Sequence, residues 1–201
     1  MKLYKTDKGV IIGENGYPIN WDFNPIQEGL FSYFKGGITI TYPYRSITII
    51  QLYEVISGKY HQKVTDTYRL KKDSNIKRRM DYVTFSGVFS KRSEKGIISQ
   101  SGYICFDFDH VQQLDATKAT LINNNDFQTV LLFKSPSGDG LKWVVEVDLN
   151  KHHQLVYFVA ISNYLQQKYN LTVDKACKDL SRACFIPHDP ECFIHPKFFQ
   201  L

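Results

Sequence analysis

Two aspartates separated by a single phenylalanine end an apolar run in SGYICFDFDH, residues 101–110. Side chains at i and i+2 of a strand share a face, so Asp107 and Asp109 are expected to converge while Phe108 turns into the core. Paired carboxylates repel each other unless a divalent cation sits between them, and hard oxygen ligands of this kind suit Mg²⁺ or Mn²⁺. A solvated strand end and a phosphatase nucleophile–acid pair fit the same residues.

A second group lies in KSPSGDGLKW. Gly138 and Gly140 let the backbone turn sharply and approach a ligand, Ser135 and Ser137 can join backbone N–H groups in an anion-binding nest, and Lys142 adds a cation beside it. The combination suits a triphosphate; an ordinary hairpin turn is the plain alternative. A third group is VDKACKDLSRACF, with Asp174 after a long helical pattern and Arg182 eight residues on. Arg182 can clamp a phosphate bidentately, or pair with Asp174 or Asp179 as a structural salt bridge.

The charge that would attract a polyanion is local. The chain of 201 residues has a net charge of +5, whereas Arg69 to Lys95 alone holds nine Lys or Arg against three Asp or Glu. Lys71, Lys72, Lys77, Arg78, Arg79, Lys91 and Arg92 are the candidate nucleic-acid contacts in that segment, a solvated face being the alternative. No apolar run approaches the roughly 18 residues that cross a bilayer and no signal peptide is visible, so a cytoplasmic protein without a membrane partner is expected. Four cysteines without a CxxC pair fit free thiols in a reducing compartment. Cys184, His188, Cys192 and His195 offer four acceptable ligands, but their spacing is not that of a standard finger and Cys184 falls in an apolar strand pattern; zinc is not expected.

The elements that must position these groups follow from pattern. Residues 1–45 read as a small N-terminal β extension with turns at GENGYP and FKGG, and ITITYPY alternates like an edge strand. A helix is predicted over 48–57, capped by Ser46 or Thr48 and stopped by Gly58, and a short one over 73–80. Strands follow at YVTFSGVF, with a bulge or turn at Gly87, and at GYICFDFD. Next come a helical VQQLDATKATLINN, strands at TVLLFKS and LKWVVEVD, and a helix from Lys151 to Tyr169. Leu155, Phe158, Val159, Ser162, Leu165 and Tyr169 are its predicted apolar face, and Asn170 its stop. A last strand is expected at ACFI. Hairpin-sized links between several strands argue for an α+β fold, a mainly antiparallel sheet with helices packed on it.

Taken in order, a DxD strand, a Ser/Gly turn with a base and a third Asp followed by Arg resemble the catalytic core of the archaeo-eukaryotic primase superfamily. RLKK…YVTFSGVFSKR…SGYICFDFDH, SPSGDGLKWVVEV and VDKACKDLSRACFIPHDP are most similar to the primase-like N-terminal domain of bacterial VirE-type mobile-element proteins, over about residues 46–196. The resemblance implies an RRM-like palm over 46–201 and a primase-polymerase nucleotidyl transferase. Asp107, Asp109 and Asp174 would be its catalytic, metal-binding carboxylates, with Asp179 the fallback for the third. Ser135, Ser137, Gly138, Gly140, Lys142 and Arg182 would bind a nucleoside triphosphate. It further implies a single-stranded DNA or RNA template and, since such proteins commonly continue into a helicase-like region, a helicase partner. Lys142 stands where many primases have His. Two other readings stay open: an inactive primase-like nucleic-acid-binding module, and a haloacid-dehalogenase-type phosphatase using Asp107 as nucleophile and Asp109 as acid. The second needs a doubly wound parallel sheet, for which the residues after Asp109 contain too few helices.

Overall fold

The strand that presents Asp107 alternates between two cores. Ile104, Phe106 and Phe108 pack with Trp143, Phe158 and Ile161, whereas Tyr103 and Cys105 face Phe31, Phe85 and Cys184. Period-two alternation with both faces apolar demands a cover on each side of the sheet, and the chain supplies two different covers. The computed structural model describes Tyr4–Lys5, Ile11–Ile12 and residues 29–199; the turn expected at GENGYP lies outside these.

In chain order the elements begin with β1 (Tyr4–Lys5), β2 (Ile11–Ile12), β3 (Phe31–Phe34), β4 (Arg45–Ile47), α1 (Ile49–Ser57), α2 (Gln62–Lys71) and α3 (Ser74–Arg78). They continue with β5 (Tyr82–Thr84), β6 (Gly87–Phe89), β7 (Ile97–Gln100), β8 (Tyr103–Phe108), α4 (Leu114–Ile122) and β9 (Thr129–Lys134). The last are β10 (Leu141–Glu146), α5 (Gln154–Tyr169), β11 (Cys184–Phe185) and β12 (Phe193–Ile194). The central sheet has the order β12-β9-β10-β8 and a second sheet the order β11-β5-β3-β4, while β6–β7 and β1–β2 form separate ribbons. Among the described residues every pairing is antiparallel. The molecule is therefore α+β, and the parallel doubly wound sheet that a haloacid-dehalogenase-type phosphatase requires is not the one formed.

β8, α4 and β9 make a crossover that leaves room for β10, which returns by the Ser/Gly turn and inserts between them. Helices α4 and α5 cover one face of this sheet. The second sheet and α1 cover the other, through Phe31, Ile47, Leu52, Ile56 and Val83. Strand β3, from the stretch predicted to form an N-terminal extension, thus pairs with β4 and β5 within the second sheet, where Phe31 and Phe34 are fully buried.

Local chemistry explains the well-formed elements. Thr48 Oγ1 accepts from the Gln51 amide at 3.3 Å while Gln51 Oε1 accepts from the Thr48 amide at 3.1 Å, a reciprocal cap at the expected start of α1. Asp73 caps α3, and Asn170, left-handed at φ 53°, ends α5. Two expectations are corrected. ITITYPY is not a strand: Ile38 and Ile40 donate to Arg78 and Gly37 carbonyls, and Thr41 accepts from Arg92, so its backbone bonds go to turns rather than a ladder. Pro43 also has no N–H to give. The buried stripe of α5 is Gln154, Phe158, Ile161 and Leu165; Leu155 and Val159 are about half exposed. Apolar residues occur on several sides of this helix, so spacing alone could not orient it.

Candidate functional site

Asp107 continues the Tyr103–Cys105 row of β8, so its carboxyl points away from the helices and toward the second sheet. Register places Lys142 of β10 directly opposite it, and the Lys142 ammonium donates to Asp107 Oδ2. Both side chains are close to nine-tenths buried. Asp107 Oδ1 is buried and has no hydrogen-bond partner. An orphaned carboxylate oxygen is costly unless a further cation or donor joins it.

Asp174 arrives by a backbone bond, its amide donating to the Asp107 carbonyl at 3.0 Å. It begins the 3-10 turn Lys175–Lys178, where Oδ1 accepts from the Ala176 amide at 2.9 Å, and Oδ2 pairs with Arg182 at 2.7 Å. One turn on, at i+3, Cys177 comes to the same side. Oxygens of Asp107 and Asp174 and the Cys177 sulfur lie within 4.8 Å of one another, the sole such acidic or thiol grouping among the described residues. Burial pushes the Cys177 thiol up to about 11. Two carboxylates and a thiol fit Mn²⁺ or a softer divalent ion better than Mg²⁺, which prefers oxygen alone. Asp179 does not join this group; it accepts from the Ser181 amide at 2.8 Å and lines the cleft beside it.

Asp109 is not part of the grouping either, which corrects the expected convergence. The strand ends at Phe108, His110 is left-handed at φ 52°, and exposed Asp109 lines a separate groove with Val111 and Tyr169. The i, i+2 rule holds only while the strand continues.

A cleft of about 300 Å³ opens over Asp107 and Lys142. Lys77, Arg92, Lys142 and Arg182 line it against two carboxylates, Asp107 and Asp179, so it favours an anion. A smaller recess shares Asp107, Lys142 and Arg182 and is floored by Cys105, Cys177 and Cys184. A hydrogen bond between Cys105 and Cys184 lowers the Cys184 thiol and raises that of Cys105. All four cysteines are free.

The Ser/Gly turn sits at the edge of the cleft, but its polar groups are largely spent on itself. Ser135 Oγ accepts from the Gly140 amide at 3.1 Å and meets Ser137 Oγ at 2.9 Å, and Ser137 donates to Asp139. That bond, then His110 at 2.9 Å, hold the Asp139 carboxyl below its ordinary range. A Cβ on Gly140 would stand 2.4 Å from the Phe108 carbonyl oxygen, so this glycine is required by the approach of β8. Gly138 has φ 85° and lies beneath Arg69.

The basic segment divides by role. Lys77 and Arg92 line the cleft. Lys72 donates to the Ser137 carbonyl at 2.7 Å, and Arg69, which charge clustering did not single out, donates to the Pro136 carbonyl at 3.3 Å. Lys71, Arg78, Arg79 and Lys91 are exposed and do not line the cleft. Of the four residues weighed for zinc, His188 is bonded to the Gly58 carbonyl at 2.8 Å and His195 accepts from the Lys197 amide at 3.1 Å, so they do not form a common site. Cys177 was missed because its distance from Asp174 becomes meaningful only once a 3-10 turn joins them. Among the described residues no helix is long and apolar enough to cross a membrane.

The family model described as BT4734-like, N-terminal domain matches residues 75–193, more than half of the chain and every residue lining the cleft except Ile38. No curated protein and no solved structure is a match.

Proposed function

We propose that this chain, which belongs to the BT4734-like N-terminal domain family, is a metal-dependent nucleotidyl transferase of primase-polymerase type that acts on single-stranded nucleic acid. The observation behind this reading is the meeting of Asp107 and Asp174, each paired with a basic side chain, with Asp107 and Arg182 in the wall of an anion-favouring cleft. The β8-α4-β9-β10-α5 order, with β10 inserted between β8 and β9, supports an RRM-like palm. Its short fourth strand, β12, joins beside β9 and not beside β8, where the RRM arrangement puts the fourth strand, so the support comes from the first three strands and their helices.

In this reading Arg182, Lys77 and Arg92 take the phosphates of an incoming nucleoside triphosphate, Arg182 as a planar fork. Asp107, Asp174 and Cys177 would hold the divalent cation, which when bound neutralises developing charge on a phosphoryl oxygen. Lys142 fixes Asp107 in the cleft wall, its compact ammonium lying opposite the carboxylate in register. The Ser/Gly turn shapes the rim through its backbone, with Arg69 and Lys72 bracing it from outside.

One set of observations favours a second reading, a binding module without catalysis. Asp107 and Asp174 are already neutralised by Lys142 and Arg182, and Asp109 stands apart. Calorimetric titration separates the two. The transferase reading expects a nucleoside triphosphate to bind more tightly with Mn²⁺ than without it, and Asp107→Asn to abolish the difference. Binding indifferent to Mn²⁺ in both proteins leaves the binding module.

A further inference from the structure

We infer that the tyrosines on the β3–β4 loop and the neighbouring Tyr60 form a stacking platform for the bases of single-stranded nucleic acid, leading toward the cleft; this rests on the reading above. Tyr42, Tyr44 and Tyr60 are 64%, 45% and 66% exposed, which leaves ring surface accessible to a flat partner, while Tyr44 also meets the Tyr33 ring edge-on. Each ring has an ammonium beside it. Lys91 Nζ lies 5.4 Å from the Tyr42 centroid, and Lys35 Nζ lies 5.4 Å from that of Tyr44 and 5.9 Å from that of Tyr60.

Aromatic faces interleaved with cations are what a single strand requires, since bases stack on the rings and phosphates meet the charges. The stretch KGGITITYPYR holds no acid. An acidic peptide would satisfy the lysines but leave flat rings without flat partners.

The platform is held in place before any ligand arrives. Ile38 donates to the Arg78 carbonyl at 2.8 Å, the Arg92 amide to Thr41 at 2.7 Å, the Arg92 guanidinium to Ile38 at 3.2 Å and the Tyr44 amide to Tyr33 at 2.7 Å. Tyr82 donates its hydroxyl to the Ile40 carbonyl. A pinned loop loses little conformational freedom on binding. Ile38 and Arg92, which anchor it, also line the cleft beside Asp107 and Lys142. A strand stacked on the tyrosines is thereby aimed at the carboxylates.

The test is fluorescence anisotropy with labelled oligothymidylate of about 16 nucleotides and an abasic strand of equal length. Tyr42→Ala, Tyr44→Ala and Tyr60→Ala are each expected to weaken oligothymidylate binding roughly fivefold to a hundredfold, with Phe at each position restoring it. The abasic strand should bind the wild type weakly and the variants alike. Lys91→Ala should lower the salt slope by about one, and the tyrosine variants should leave it unchanged. Wild type that binds both strands equally, or alanine variants that bind oligothymidylate normally, overturns the platform. Base-dependent binding without nucleotide incorporation would retain the platform and remove the transferase; incorporation with indifferent tyrosine variants would do the reverse.

Discussion

The Asp174 amide donates to the Asp107 carbonyl at 3.0 Å, and this bond fixes how far apart their carboxyl groups can stand. Two residues distant in sequence are thereby held as neighbours by the backbone, so either side chain can be changed without releasing the other.

Asp107 and Asp109 should differ sharply in what their loss does to stability. Asp107→Ala leaves the Lys142 ammonium without its carboxylate in a largely buried position, at a cost of about 3 kcal/mol. Asp109 is exposed, and Asp109→Ala should stay within about 0.5 kcal/mol of wild type. Urea unfolding reads both, and equal effects would contradict the placement of Asp109 outside the cleft.

The thiol in the ligand set can be read through metal preference. In a thermal-shift series, wild type should respond to Cd²⁺ more strongly than to Mg²⁺, and Cys177→Ser should lose most of the Cd²⁺ response while keeping that to Mn²⁺. A Cd²⁺ response unchanged in Cys177→Ser would remove the thiol from the site.

The fold was legible wherever one local signal sufficed. Thr48 and Gly58 bound α1, Asp73 caps α3 and Asn170 ends α5 where their residue types indicate. α2 left no comparable mark, because only Thr65 and Tyr68 of its ten residues are buried. The site was legible in its members more than in its geometry. Asp107, Asp174, Lys142 and Arg182 come together, whereas Asp109 is lost to a strand that ends one residue early and Cys177 is gained through a turn no pattern announced. The serines and glycines of the turn have the types of ligand contacts, yet they are engaged with each other and with β8.

Gly140 and Gly138 should respond differently to a methyl group. Gly140→Ala drives Cβ against the Phe108 carbonyl and forces β8 or the turn to shift, costing about 2–3 kcal/mol. Gly138→Ala meets only the flexible Arg69 side chain, so its cost is the positive φ of 85°, about 1 kcal/mol. Chemical denaturation of the two variants checks the order.

The turn should also weaken in acid. The Asp139 carboxyl is held below its ordinary value by Ser137 and then His110, so its contribution is present above the unfolded value and lost as pH falls through the lower folded one. Asp139→Asn should therefore destabilise the protein at neutral pH, by less than about 1 kcal/mol because the group is half exposed, and make no difference near pH 2. An equal difference at both pH values would contradict this assignment.

Template-directed incorporation of a labelled nucleotide on a primed single strand, measured with Mn²⁺ and with Mg²⁺, tests the transferase most directly. Incorporation by the wild type, greater with Mn²⁺ and lost by at least about a hundredfold in Asp107→Asn and Asp174→Asn but not in Asp109→Asn, is the expected result. Incorporation that survives both substitutions, or none from a wild type shown to bind nucleotide, would contradict it.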